Sequence, residues 1–484
     1  MIASIRLARV ALLLAALAFA VEGVASAPAY TQGDYLFILT RELPGAGGAF
    51  SLMDMNQPWQ HDNNYGAAHE DAVAFFYEGL IYVVNRAGAD NIRVIDPALN
   101  FQTIRQFSVG TGSNPQEICF VEAGRAFVTR YDDNELWEID PRTGQHTDTI
   151  DLAPLADADG LPEMHAMAIH GGFLYVTLER LNRDSWMPEP PSYLAVIDLA
   201  DNSLVDMDPA LPGMQGFPLQ ATNPYSGIVI DPLTGDFLIG ETGDYGVLDG
   251  GIERFDPGLR VSLGMAIGEA ELGGDLNAWK TANGDDGFAV VMTPFPESHT
   301  NVVAFTLRSG ENQGTIASSS EYAYADLHVD VPRGQLFVAD RSYANPGIRV
   351  YDLETHAQLS AGVIPVGLYP LDLLGVPGPH SDVVESDLPR ALRVDAFPQP
   401  AFGPVTIRVR TASDHAVTDP GVSVRILDSS GRVVADLLQR AGNRDVLIQW
   451  NGCDHHLRRA PGGVYWVEAR ALGQTAATKL LIVE

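Results

Sequence analysis

Short apolar runs with strand-like alternation dominate this chain, and helical spacing of apolar positions is nearly absent from its first three quarters. One run recurs in degraded form: Phe37-Ile38-Leu39-Thr40, Tyr82-Val83-Val84-Asn85, Phe127-Val128-Thr129-Arg130, Tyr175-Val176-Thr177-Leu178, Phe237-Leu238-Ile239-Gly240, Ala289-Val290-Val291-Met292 and Phe337-Val338-Ala339-Asp340. Successive copies start 45, 45, 48, 62, 52 and 48 residues apart. After each comes a second run that closes on aspartate: Asp54, Asp96, Asp140, Asp198, Asp256 and Asp352, with Ala304-Phe305-Thr306 the departure. Proline follows at Asp96, Asp140 and Asp256. There the aspartate side chain caps a turn, proline holds φ, and the chain reverses into another strand.

Periods of about 40–50 residues built from β-branched and aromatic runs fit one four-stranded propeller blade each. Seven copies predict seven blades over residues 30–378. The first copy lacks an upstream inner strand, whereas Gly367–Val376 reads as an inner strand with no blade of its own. The expectation is that this late strand completes the first blade and closes the ring, which removes exposed sheet edges. A polar, acidic stretch over 379–388 reads as a linker. Residues 389–484 alternate strongly, as in Val405–Arg410, Val422–Asp428 and Val464–Ala469. About seven short strands there predict an immunoglobulin-like β-sandwich. The predicted fold class is therefore all-β: a seven-bladed β-propeller followed by a sandwich.

Charge and the N-terminus add a destination. Arg6 and Arg9 precede an unbroken apolar run, Val10–Val21, too short to span a bilayer comfortably, and Ala25-Ser26-Ala27 has the form of a cleavage site. Residues 1–27 read as a signal peptide cut near Ala25, Ala27 or Ala29. No later stretch is apolar enough for a membrane span, so a secreted or outer-surface location is expected. Net charge is -32, and residues 28–384 carry about -34 of it, because each end contributes +1. An acidic module of this kind repels nucleic acid and anionic membranes. It attracts Ca²⁺ or basic partners, or simply stays soluble. The two cysteines, Cys119 and Cys453, fall in different predicted domains, so stability comes from packing.

The Tyr-Val-Val-Asn run paired with Val94-Ile95-Asp96-Pro97 resembles the YVTN-type, lactonase-like seven-bladed propellers. That resemblance implies a fold but leaves function open between enzyme, binding protein and scaffold. In the tail, Phe397-Pro398-Gln399-Pro400, Leu427-Asp428-Ser429-Ser430-Gly431, Trp450-Asn451-Gly452 and Gly463-Val464-Tyr465 look like the FlgD-like immunoglobulin domain and the similar type IX secretion sorting domain. This second resemblance implies export and a partnership with secretion machinery.

A serine nucleophile elbow, a phosphate loop, a His-Glu-x-x-His helix and a zinc-spaced cysteine set are absent from the sequence. Candidate chemistry lies where a propeller exposes its inner strands, whose starts are expected near Asp71, Glu117, His165, Ser226, Asn277, Asp326 and Asp372. With His328 beside them, these side chains are expected at one mouth of the central channel. Glu117, Asp326 and Asp372 form the candidate set for Ca²⁺ or another divalent cation; in lactonase-like relatives such a cation polarises an ester carbonyl. The bland alternative is that these residues solvate the channel and cap strand starts. Trp186, on the Pro-stiffened insertion 179–192, is a candidate recognition residue or a buried loop anchor. The leading expectation is a surface-displayed binding or scaffold protein with a protein, glycan or small-molecule ligand. The alternative is a metal-assisted, lactonase-like ester hydrolase.

Overall fold

The computed structural model describes residues 35–43, 47–294, 296–297 and 299–376, followed by 393–397, 404–410, 422–428, 432–439, 445–454, 458–471 and 474–482. The signal segment, the linker and the Pro398–Pro400 part of the tail motif lie outside them. The chain divides into two units, up to Pro379 and from His380.

The first unit holds seven antiparallel sheets, each running from an inner to an outer strand. The inner strands are Tyr369–Val376, Ala72–Tyr77, Pro115–Glu122, Met164–His170, Ile228–Ile230, Asp275–Thr281 and Tyr324–Asp330, for blades one to seven. The predicted starts fall within three residues of these. Every recurring apolar run occupies the second strand of its blade, and every run closing on aspartate is the third strand. Blade seven lacks a full outer strand; single bridges at Tyr351–Gln358 and Ile348–Ile364 stand in its place.

The turn aspartates do the same work six times. A carboxylate oxygen of Asp54, Asp96, Asp140, Asp198, Asp256 or Asp352 accepts from the amide two residues on, at 2.8 to 3.1 Å. Such a local side-chain turn competes with strand continuation and folds the chain outward.

Ring closure follows from the last inner strand. Tyr369–Val376 pairs antiparallel with Tyr35–Arg41, joining ends of the propeller more than 300 residues apart. Seven apolar clusters lie between blades, one per interface, including Leu36, Ile38 and Met53 of blade one against Phe337, Ile348 and Val350 of blade seven. Phe37, Phe127, Tyr175, Phe237 and Phe337, at equivalent second-strand positions, are fully buried in them. Removing each ring from water stabilises the array by about 1.5–3 kcal/mol. Blade five carries Gly240 in its second strand because a Cβ there would lie 2.4 Å from Trp279 Nε1 of blade six.

The second unit contains seven described strands in two sheets: Arg393–Phe397, Val405–Arg410 and Asp445–Trp450 in one, and Val433–Gln439, Val422–Asp428, Gly463–Ala471 and Gln474–Ile482 in the other. Val405, Ile407, Val424, Ile426, Trp450 and Val467 fill a single core shared by both.

Candidate functional site

Inner strands of neighbouring blades touch around the axis, and between blades five and six it is the second strand Phe237–Glu241 that meets the inner strand Asp275–Thr281. The expected metal set, Glu117, Asp326 and Asp372, lies on these strands, but the three do not form a metal site. No group of three His, Cys, Asp or Glu side chains among the described residues is arranged to hold an ion. Each carboxylate is committed elsewhere. Glu117 accepts from the Met167 amide at 3.2 Å, Asp326 from the Leu373 amide at 2.9 Å, and Asp372 from the Ala74 amide at 3.0 Å. In every case the donor belongs to the next blade. Ser226 does the same with reversed polarity, donating to the Leu276 carbonyl at 2.8 Å. An inner strand has no fifth strand to pair with, so these bonds satisfy backbone groups that would otherwise face the channel unmatched.

A cation is nevertheless present. Lys280, the single lysine of residues 28–384, lies in the electrostatic field of Glu117, Asp372 and His328, which stand on blades three, one and seven. Burial pushes Glu117 up to about 8, with Lys280 opposing. Burial, then the Asp326 charge, pushes Asp372 up as well. His328 is not a free ligand: a Cβ on Gly375 would sit 2.3 Å from its ring, so the imidazole packs on the backbone of blade one, and burial lowers its pKa. These donors fit a fastened, proton-holding interior better than a metal.

The mouth at the start of the inner strands is different. Asp71 binds the Arg86 guanidinium, with Nε at 2.9 Å, and Arg86 Nη1 donates to Gln116 at 2.9 Å. His165 lies against the Tyr225 ring, centroids 5.3 Å apart. Its Nδ1 is buried with no partner among the described residues, and burial plus Arg86 lower its pKa to about 3, so the ring is neutral. Glu179 is 1% exposed; one oxygen accepts from the Tyr131 hydroxyl at 2.8 Å and the other has no partner among the described residues. Burial pushes it up to about 8.

Tyr225, Tyr245 and Tyr322 complete this mouth. They are 41%, 54% and 47% exposed, yet burial is the main cause raising the pKa of Tyr225 and Tyr245. The hydroxyls of Tyr225 and Tyr245 each feel that of Tyr322 and the Glu179 carboxyl. Asn277 donates to the Tyr322 hydroxyl at 3.3 Å, and Arg341 covers its ring at 4.5 Å. Trp186 is 59% exposed, so its loop does not bury it on a neighbouring blade. Arg183, ion-paired to Asp132 and Glu163, stacks between it and Tyr131.

The structure places Asp71 against Arg86 and His165 against Tyr225, leaves Trp186 exposed, and gives Glu117, Asp326, Asp372 and His328 the contacts described above; Arg86, Glu179, Lys280 and the three tyrosines were not singled out from the sequence. Two signals were available: the uniqueness of Lys280, and the polar residue that ends several second strands, Asn85, Arg130, Glu241 and Asp340, or directly follows one, Glu179.

No family profile and no curated protein matches the chain. Among solved structures it is similar to PorZ, a bacterial surface component of the type IX secretion system of Porphyromonas gingivalis, at 12% identity and TM-score 0.41, over 91% of this chain and 63% of that one. The chain thus spans less than two thirds of PorZ. It is also similar to a Pseudomonas aeruginosa periplasmic gluconolactonase (13% identity, TM-score 0.47, 71% of this chain and 99% of that one). A putative 6-phosphogluconolactonase from Bacteroides fragilis gives 11% identity and TM-score 0.49, over 71% and 98%. None of the described helices is long and apolar enough to cross a membrane.

Proposed function

We propose that this chain is an exported, surface-displayed binding protein whose ligand sits in the tyrosine-lined mouth of the propeller. The observation that carries the proposal is the cluster of large exposed aromatic rings there, with Tyr225 against His165 and Tyr322 held by Asn277. A concave site with aromatic walls and a few polar groups is where propeller-sized proteins take ligands. Below it, hydrogen bonds tie each of several inner strands to the next blade, which makes a stiff platform.

The C-terminal unit serves export or surface attachment in this reading. Its strand order, first-second-fifth facing fourth-third-sixth-seventh, supports the immunoglobulin-like reading of its motifs. Metal-assisted ester hydrolysis is the second reading, and it is less favoured here because one oxygen of each candidate carboxylate already accepts from a backbone amide.

The test recovers the full chain from its own cells, denatures it and identifies released molecules by mass spectrometry. A ligand in near-stoichiometric amount from wild type, absent from Tyr225→Ala/Tyr322→Ala, is expected. Identical profiles overturn the reading. Removing residues 389–484 is expected to leave the propeller inside the cell envelope; unchanged surface display would sink the export role.

A further inference from the structure

We propose that the cleft between blades six and seven, at the end of the blades opposite the mouth, takes a guanidinium group, in the place that Arg125 fills from within the chain between blades three and four. The site is separate from the mouth and does not depend on its ligand.

The two interfaces are built alike. Phe127 and Phe288 each pair with the third-strand residue two before its last, Glu138 and Ala304 respectively. In the next blade a leucine follows the turn aspartate, Leu199 or Leu353. Its amide donates to a glycine carbonyl in that blade's first turn, Gly172 at 3.0 Å or Gly334 at 2.9 Å. Four residues after each aspartate stands a left-handed residue, Asn202 (φ 60°) or His356 (φ 58°).

Between blades three and four the space is occupied. Arg125, two residues before Phe127, lies over that ring, its guanidinium carbon 5.5 Å from the centroid. It donates to the Leu199 carbonyl at 2.9 Å, to Asn202 Oδ1 at 2.8 Å and to Glu138 at 2.8 Å. The carbonyl after the turn aspartate is capped at two further interfaces, Pro141 by Arg105 and Pro257 by the Tyr175 hydroxyl. Between blades six and seven that plug is missing. Asp286 stands in the place of Arg125, Ala304 in that of Glu138, and Phe288 has no hydroxyl. A cavity of about 430 Å³ remains, lined by Phe288, Phe305, Ala304, Leu353, Asp286 and Glu354. His356 forms one wall, its ring edge-on to Phe288 with centroids 5.9 Å apart.

The cavity offers acceptors over an aromatic floor. No described residue donates to the Leu353 carbonyl, and neither Asp286 nor Glu354 is ion-paired among the described residues. Asp286 takes a side-chain hydrogen bond from Asn283 at 2.8 Å. A group that stacks on a ring and donates in a planar fork to carbonyl and carboxylate oxygens is a guanidinium; an ammonium is a compact, strongly hydrated point donor. The acidic surroundings, about -34 over residues 28–384, favour the same sign of ligand.

The experiment titrates the full chain with Nα-acetyl-arginine amide, with an unstructured peptide carrying a single arginine, and with the same peptide carrying lysine instead, read by ligand-observed NMR and calorimetry. Asp286→Arg/Ala304→Glu rebuilds the plug of the other interface and is expected to abolish binding. Asp286→Asn/Glu354→Gln removes only charge and is expected to weaken binding roughly tenfold or more. Should the first variant fold poorly, the second alone decides. Tyr225→Ala/Tyr322→Ala is expected to bind as wild type. Binding of both arginine probes points to a free guanidinium compound and binding of the peptide alone to a partner polypeptide; either supports the proposal. No binding of either arginine probe, equal binding of the lysine peptide, or binding unchanged by the cleft variants overturns it. So does loss of binding in the tyrosine variant, which would move the guanidinium to the mouth.

Discussion

Two levels of the same channel use their polar residues in opposite ways. In the interior, Glu117, Asp326 and Asp372 are spent on the backbone of the adjoining blade. At the mouth, Tyr225 and Tyr245 keep large parts of their surface free. The difference teaches that residue type and position near an axis do not define a site. What defines it is whether the protein has already satisfied the group.

The widest expected effect separating the two levels is on pH. Glu117 and Glu179 are pushed up to about 8, Glu163 and Glu269 to about 7, and Glu241, facing Glu253 in a buried pair, is also raised. Each folded-state pKa lies above the ordinary glutamate value of 4.5, so the native state retains protons that the unfolded chain releases. The stability that these groups contribute is therefore full below about pH 4.5 and is lost as pH rises through 7 to 8. Thermal melts from pH 5 to 9 are expected to fall steadily, and Glu117→Gln with Glu179→Gln to flatten the curve. A maximum above pH 8 would contradict the fastened interior.

Steric tests come next. Gly375→Ala pushes a methyl group into the His328 ring and is expected to cost about 1–3 kcal/mol in chemical denaturation. Glu117→Ala leaves the Met167 amide unmatched, for a loss of about 1–3 kcal/mol, while ligand release from the mouth stays as in wild type. The reverse pattern belongs to the rim: Tyr225→Ala is expected to change stability by no more than about 0.5 kcal/mol while removing ligand. The smallest effect is at Trp186→Ala, whose exposed ring touches chiefly Arg183; folding should be unchanged. If Tyr225→Ala proved as destabilising as Glu117→Ala, the two levels would be one structural core.

Much of the fold was legible because its determinants are local. The second-strand run and the turn aspartate each act within a few residues, so they survive in sequence even in weak copies such as that at Ala289. Closure by Tyr369–Val376 was legible from an imbalance, an inner strand missing at one end and surplus at the other. The site was less so. The partner of Glu117 is an amide 50 residues away in another blade, and no spacing rule announces it. Tyr225, Tyr245 and Tyr322 sit in connections whose lengths vary from blade to blade, where periodicity has nothing to say. Arg86 follows the Tyr82–Asn85 run directly, yet only the position of Asp71 in space shows it as half of an ion pair.

The closing strand has a consequence for synthesis. A polypeptide made N-terminus first presents Tyr35–Arg41 early and Tyr369–Val376 far later. Until that late octapeptide emerges, the earliest blade carries a bare hydrogen-bonding edge, and Ser51 awaits the Val366 carbonyl it will grip at 2.7 Å. The order of emergence thus sets a timer: the ring of blades stays open while the chain is being made, and locks only when nearly all of it has emerged.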